Sequence, residues 1–298
     1  MKYKNMQSLR QAIEGAEKDH IAIGHFNISD SVALKAIVEA VLEISKYQNT
    51  EIPVIIGTSE GERDFIGPKQ AAALVKSYRE EHNFPIFLNA DHTHSLEKVK
   101  EAVLAGYDAI LFDAGRLSLE ENIKQTKEVV DYVKSINPEI LVEGEIGYIG
   151  SSSEILKELP ADAAIQPEDL TTPDEAMKFV KETGVDLLAP AVGNVHGIIK
   201  GGNPRLDILR IAAIKKAVGV PLVLHGGSGI ADEDFVAAIK AGISIIHINT
   251  EIRAAWRKGL EQGLKNNPEE VAPYKIYPPA VEEIKKVVSE RMRLFTKL

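Results

Sequence analysis

Short apolar runs rich in β-forming residues recur along the whole chain, at about 21–26, 52–57, 85–89, 108–112, 140–145, 185–189, 220–224 and 243–248. Between them lie segments whose apolar residues repeat with helical period, such as 32–44, 96–104 and 235–240. Several of these open on a Ser, Asp or Thr able to cap a helix N-terminus. Strands that alternate with helices form right-handed βαβ units, and such units build a parallel sheet. Three helical segments end at Gly106, Gly184 and Gly242 just before the next strand-like run, where a left-handed residue closes a helix. About eight units punctuated in this way point to a (β/α)8 TIM barrel rather than an open doubly wound sheet. No Gly-x-Gly-x-x-Gly follows a strand, so a dinucleotide-binding sheet would lack its phosphate loop. Extra flanking helices are expected at about 7–18 and 279–296, the second amphipathic. With 298 residues, 44% of them hydrophobic, and no linker-like stretch, the chain is expected to be a single barrel domain over 1–298.

Charge and cysteine usage narrow the function. A formal net charge of -9 argues against nucleic acid or an acidic membrane as partner and leaves room for a local pocket that takes a small phosphorylated metabolite. The chain has no cysteine, so any tightly held metal must be bound by histidine and carboxylate. The N-terminal residues lack an apolar signal core, and no stretch approaches the roughly 18 apolar residues of a membrane span, so the expected location is cytoplasmic.

His92, His196 and His225 each stand just beyond a strand-like run. In a parallel barrel those positions share the C-terminal face, which is what a three-histidine catalytic zinc site needs, with one coordination position left open for substrate. Asp91 and His94 flank His92 on the same strand end. Glu143 and Glu145, on the fifth strand, are placed to orient the imidazoles. Two glycine-rich stretches follow the second and third histidines directly: Gly197 to Gly202 with Lys200, and Gly226 to Gly229 with Ser228. Glycine lets backbone N–H groups approach an anion, and the eighth strand ends in Asn249-Thr250 at a helix N-terminus, so a phosphate suits this face. One connection, about 147–171, is far longer than an ordinary turn; it reads either as a mobile lid carrying Glu154 or as a surface insertion.

Taken together these motifs resemble the zinc-dependent class II fructose-bisphosphate and tagatose-bisphosphate aldolases. The likeness covers nearly the whole chain: residues 23–27, 53–61, the Asp91-His92 pair, 142–147, 195–197, 224–229 and 248–251. The resemblance implies Zn2+ held by His92, His196 and His225 with Glu145 beside it, and Asp91 as acid/base at the C4 hydroxyl of the substrate. It implies a C1-phosphate site of Gly197, Lys200, Gly226, Ser228 and Thr250, with Asn27 and Ser59 lining the pocket, and a monovalent cation as a second candidate ion. Arg253 matches a family arginine that reaches the far phosphate in a neighbouring subunit, which implies a homodimer or homotetramer. Glu154 is the candidate for proton exchange at the enediolate carbon, although the family's loop glutamate falls at Ser153. The implied reaction is reversible cleavage of a ketose 1,6-bisphosphate, fructose before tagatose, to dihydroxyacetone phosphate and glyceraldehyde 3-phosphate.

The chain departs from the family pattern at Asn89, Thr93, His25 and His247. The last takes the place of an amide that touches substrate beside Asn249. Because the first and eighth strands adjoin in a closed barrel, His25 and His247 are expected either to form a local polar pair that reshapes the pocket or to sit as separate interior polar residues. Three other readings stay open: an aldolase for another sugar phosphate on the same scaffold, a metal-dependent barrel hydrolase and a non-catalytic protein that binds phosphorylated sugars.

Overall fold

The computed structural model describes residues 7–150, 153–159, 166 and 169–297. Eight parallel strands close into a barrel: β1 (Ile23–Asn27), β2 (Val54–Thr58), β3 (Ile86–Thr93), β4 (Ala109–Phe112), β5 (Leu141–Ile146), β7 (Leu187–Pro190), β9 (Leu222–Leu224) and β10 (Ile243–Ile248). The ring runs β1, β10, β9, β7, β5, β4, β3, β2, as the alternation of strands and helices requires. Two further short strands, β6 (Ile155–Leu156) and β8 (Ile198–Ile199), pair with each other outside the barrel.

The helices are α1 (Leu9–Asp19), α2 (Ser31–Gln48), α3 (Glu60–Ile66), α4 (Pro68–His82), α5 (Leu96–Ala105) and α6 (Leu119–Ile136) in the first half. The second half adds α7 (Pro173–Thr183), α8 (Ile208–Val218), α9 (Asp232–Ala241), α10 (Thr250–Asn266), α11 (Pro273–Ile276) and α12 (Pro278–Thr296). Gly106, Gly184 and Gly242 all take the left-handed conformation after α5, α7 and α9, as their spacing anticipated. Among the described residues no helix is long and apolar enough to cross a membrane.

Period-two alternation along the strands explains where the chemistry sits. Ile23, Ile55, Phe87, Ala109, Leu141, Leu187, Val223 and Ile245 form one apolar layer inside the barrel, closed from below by Leu9, Ala12, Ile13 and Ala16 of α1. Two residues further along the strands five of the eight inward positions are polar, His25, Asn89, Glu143, His225 and His247, and the other three are Gly57, Leu111 and Ala189. The intervening residues, such as Phe26, Ile56, Leu88, Val142 and Ile246, face the surrounding helices and build the larger core. Apolar packing thus fills the N-terminal half of the barrel, and the C-terminal half is left for function.

Gly57 shows how closely that polar layer is fitted. A Cβ there would stand 2.1 Å from Cε1 of His25, so only glycine leaves space for the ring. Gly57→Ala is expected to displace His25 and destabilise the fold by about 1–3 kcal/mol, the range for overpacking a filled core. Urea unfolding measures this, and an unchanged midpoint would show that the ring has room to spare.

Candidate active site

Strand ends bring the three histidines together. His92 follows Asp91 at the end of β3, where the pairing with β4 shifts register between Ala90 and Thr93, and His92 itself adopts φ +40°. That left-handed conformation is strained for a side chain with a Cβ, and the irregularity turns the imidazole inward. His225 directly follows β9, and His196 is held where its N–H meets the Ile149 carbonyl. One ring nitrogen from each histidine lies within 4.8 Å of the others. The Nε2 atoms of His92 and His196 are 3.1 Å apart, close to the roughly 3.3 Å edge expected between two nitrogens on one tetrahedral zinc ion.

In each ring the nitrogen that does not face the centre is held. His92 Nδ1 lies 2.8 Å from Asp113 Oδ2, His196 Nδ1 lies 2.5 Å from the Gly150 carbonyl, and His225 Nε2 lies 2.7 Å from Glu143 Oε1. His225 Nδ1, the remaining nitrogen of that ring, is buried without a hydrogen-bond partner. Two imidazoles therefore offer Nε2 and one offers Nδ1, each oriented by a carboxylate or carbonyl behind it, which is the outer support a histidine metal site requires.

Electrostatics favour a cation at this point. Burial and then the charge of His92 lower His196 and His225 to about 3, so both are neutral donors with free lone pairs. Burial opposes a charge on His92 as well, but Asp91, Asp113 and Glu145 outweigh it and push that ring up to about 10. Burial, together with neighbouring carboxylates, pushes Glu143 and Glu145 well above the carboxylate range. Burial works to raise Asp91 and Asp113 too, but His92 holds both well below the usual carboxylate range, leaving negative charge that a dication offsets better than a single proton on His92.

Asp113 lines the cavity and touches His92. Asp113→Asn keeps the shape and removes the charge, so metal affinity should fall about 10- to 100-fold in a competition titration against a chelating dye. Unchanged affinity would show that His92 does not need this partner.

The cavity above the histidines has a volume of about 220 Å³. Of the residues expected from sequence, Asn27, Ser59, Asp91, His92, His196, Gly197, His225, Gly226, Ser228, His247, Asn249, Thr250 and Arg253 line it. Glu145 lies behind His92, with Oε2 3.8 Å from Nδ1. Lys200 and Glu154 are exposed and lie outside the cavity. Their stretch is anchored by the β6 and β8 pairing, with Ile198 N–H donating to the Glu154 carbonyl and Lys200 N–H to the Leu156 carbonyl. Part of the long connection, residues 151–152, 160–165 and 167–168, lies outside the described residues. Its described start is no free lid, for it forms a strand, and Ser153 rather than Glu154 reaches the cavity.

The anion-friendly stretches have the geometry glycine was expected to give them. Gly226 has φ +62°, and a Cβ there would stand 2.3 Å from the Val195 carbonyl oxygen. Asn203, not singled out by any motif, sews the two stretches together: its Nδ2 donates to the carbonyls of Gly197 and Ser228. Ser228 Oγ accepts from Glu251 N–H at the start of α10, which places that helix N-terminus beside the loop.

His25 and His247 form the pair that strand adjacency allowed. Their rings stack with centroids 3.4 Å apart and planes 7° from parallel. His247 Nδ1 is 3.2 Å from Asp91 Oδ1, too oblique for a hydrogen bond, and the His247 ring tilts against His225 with centroids 3.9 Å apart. Asp91 is fixed from its other side, where Asn27 Nδ2 donates to Oδ2 at 2.9 Å. Burial works to raise the Asp91 carboxyl, but His92 and His247 outweigh it and hold the group well below the usual carboxylate range. It stands ready as a base.

The model of the class-II fructose-bisphosphate aldolase family matches residues 7–297. The chain belongs to that family. It is accordingly a lyase of carbohydrate metabolism, from a metal-dependent family, with a phosphorylated sugar as the implied substrate. A fructose-bisphosphate aldolase of Geobacillus stearothermophilus is 35% identical over 294 residues, covering 98% of this chain and 97% of the relative. A 6-phospho-5-dehydro-2-deoxy-D-gluconate aldolase of Bacillus licheniformis is also 35% identical, over 97% of this chain and 94% of its own. Among solved structures, the YdjI aldolase of Escherichia coli K12 matches with a TM-score of 0.80 and 30% identity, covering 97% of this chain and 96% of that one. Family membership thus spans relatives whose names give different substrates.

Proposed function

We propose that this aldolase reversibly cleaves a ketose 1-phosphate between C3 and C4 to dihydroxyacetone phosphate and an aldehyde, with zinc as its metal. Fructose 1,6-bisphosphate is the reference substrate and tagatose 1,6-bisphosphate its C4 epimer. The observation that carries the reading is the set of three converging, individually braced imidazoles with an ionised Asp91 beside them.

His92 and His196 through Nε2 and His225 through Nδ1 would hold the metal. A divalent ion there supplies Lewis-acid polarisation of the substrate carbonyl and offsets the negative charge that develops on cleavage. Asp91 accepts the proton of the C4 hydroxyl; as the C3–C4 bond breaks, C4 becomes the aldehyde and the bonding electrons pass towards the C2 carbonyl. Asn27 fixes the carboxylate in place for that transfer. The Gly197 and Gly226 turns, Ser228 and the N-terminus of α10 bind the C1 phosphate, with Thr250 at the first helical position. Assembly as a homodimer or homotetramer and a cytoplasmic location belong to the same reading and are supported by the family resemblance.

Glu154 follows cavity-lining Ser153 and is proposed to return a proton to C3 by a rotation of its exposed side chain, the backbone staying tied to β8. Glu154→Gln should slow detritiation of dihydroxyacetone phosphate about tenfold or more; an unchanged exchange rate removes Glu154 from the mechanism. The reading as a whole is tested by incubating the zinc-loaded enzyme with both bisphosphates and identifying the products. Triose phosphates that vanish when a chelator is added are expected, and binding without turnover would overturn it.

A further inference from the structure

Two residues of β3, Asp91 and His92, stand opposite Leu111 alone in β4, because the pairing passes from Ala90 with Ile110 to Thr93 with Phe112. On its other side β3 loses its neighbour at the same place. Strand β2 stops at Thr58, the partner of Ala90, and turns into α3, so the end of β3 has no strand there to bond its backbone groups. His92 holds its left-handed conformation within this bulge. Such a conformation persists only where the surroundings over-determine it, and no sequence motif points to the group that does so.

That group is the guanidinium of Arg63, in α3 and only 3% exposed. Its Nη1 donates to the Asp91 carbonyl at 3.0 Å and to the Thr58 carbonyl, and its Nη2 donates to Thr93 Oγ1 at 2.8 Å. The Thr93 hydroxyl in turn donates to the Ala90 carbonyl at 3.3 Å. These bonds fall on both sides of His92 and tie the end of β3 to the end of β2. Thr93 is one of this chain's departures from the family pattern, and the hydroxyl it brings is the acceptor that Arg63 uses.

A buried guanidinium is costly to hold, and none of these three acceptors is a carboxylate. The acids on either side of Arg63 in the chain are engaged elsewhere, Glu62 with Arg253 and Asp64 with Lys98. Arg63 does not line the cavity, so any effect on the chemistry passes through the residues it holds. We propose that Arg63 is a positioning residue: by clamping Asp91 and Thr93 it fixes the bulge that aims the His92 imidazole at the metal and the Asp91 carboxylate at the substrate. This rests on the aldolase reading above, in which His92 is a ligand and Asp91 the base. Asp113 and Asn27 hold those two side chains, and Arg63 holds the backbone that carries them.

The test uses two substitutions of the acceptor. Thr93→Val is close to isosteric and removes the hydroxyl, whereas Thr93→Ser keeps it. Zinc affinity of the metal-stripped enzymes, measured by competition with a chelating dye, should fall at least about tenfold in Thr93→Val and return to within about threefold of wild type in Thr93→Ser. With zinc saturating, kcat on the ketose bisphosphate that is cleaved faster should fall about 10- to 100-fold in Thr93→Val, with KM nearly unchanged. Arg63→Lys, whose single ammonium cannot span both sides of His92, should resemble Thr93→Val, and the double variant should lose no more than the weaker single one. A Thr93→Val enzyme equal to wild type in zinc affinity and kcat overturns the proposal even if Arg63→Lys does not fold. So does a serine variant as weak as the valine one, or losses that add in the double variant. If the wild-type enzyme cleaves no ketose phosphate the aldolase reading fails, while the zinc titrations still decide whether Arg63 positions His92.

Discussion

Asp91→Asn is expected to bind metal as the wild-type enzyme does and to lose aldol cleavage by roughly 10²- to 10⁴-fold, the range for removing a positioned general base. The isosteric amide can still meet Asn27 and fill the space beside His247, so the packing of the polar layer survives. What disappears is the acceptor proposed for the C4 hydroxyl proton. The loss should therefore fall on kcat, with KM for the sugar phosphate nearly unchanged. Parallel measurement of metal content and steady-state kinetics checks this. A variant that retains kcat would remove Asp91 from the chemistry and leave the site without a base at this position.

His196→Ala should have the larger effect on the metal. It deletes one of the three proposed ligands, so affinity should fall by more than the roughly 10- to 100-fold typical of losing an outer partner such as Asp113, and cleavage should fall with it. The fold should survive, because His196 stands in a turn after β7 rather than in the packed strand layer. Zinc bound by the native state alone should raise the unfolding temperature of the wild-type protein steadily with zinc concentration, and the variant should lose most of that rise at the same zinc concentration. Full zinc-dependent stabilisation in His196→Ala would mean that the ion lies elsewhere.

Much of this was legible in the sequence because barrel geometry is repetitive. Once the runs near 85–89 and 220–224 are strands and 185–189 is another, His92, His225 and His196 must emerge on one face whatever the side chains do in detail. The neighbourhood of His25 and His247 followed in the same way from closure, since β1 pairs with β10 and places those two residues directly opposite.

What stayed hidden depends on local backbone and on atoms rather than residues. The positive φ of His92 arises from a register shift that no apolar pattern records. That His225 presents Nδ1 to the centre, against Nε2 in the other two, follows from which nitrogen Glu143 reaches. Asp113 lies one residue beyond β4 and looks like an ordinary polar strand end until His92 is seen beside it. Glu62 reads locally as a helix cap, and only the fold brings Arg253 to it from 191 residues away. The long connection misled in one respect: its length reads as freedom, but the short β6 and β8 ladder ties its beginning to the turn after His196.

The most direct test of a metal-dependent aldolase is a stepwise titration of chelator-treated enzyme with zinc, following bound metal and triose-phosphate release in the same samples. Binding and cleavage should rise together and level off at one ion per chain, with Asp91→Asn following the binding curve but not the cleavage curve. Undiminished cleavage by the metal-free protein, or full zinc binding by His196→Ala, would contradict the account.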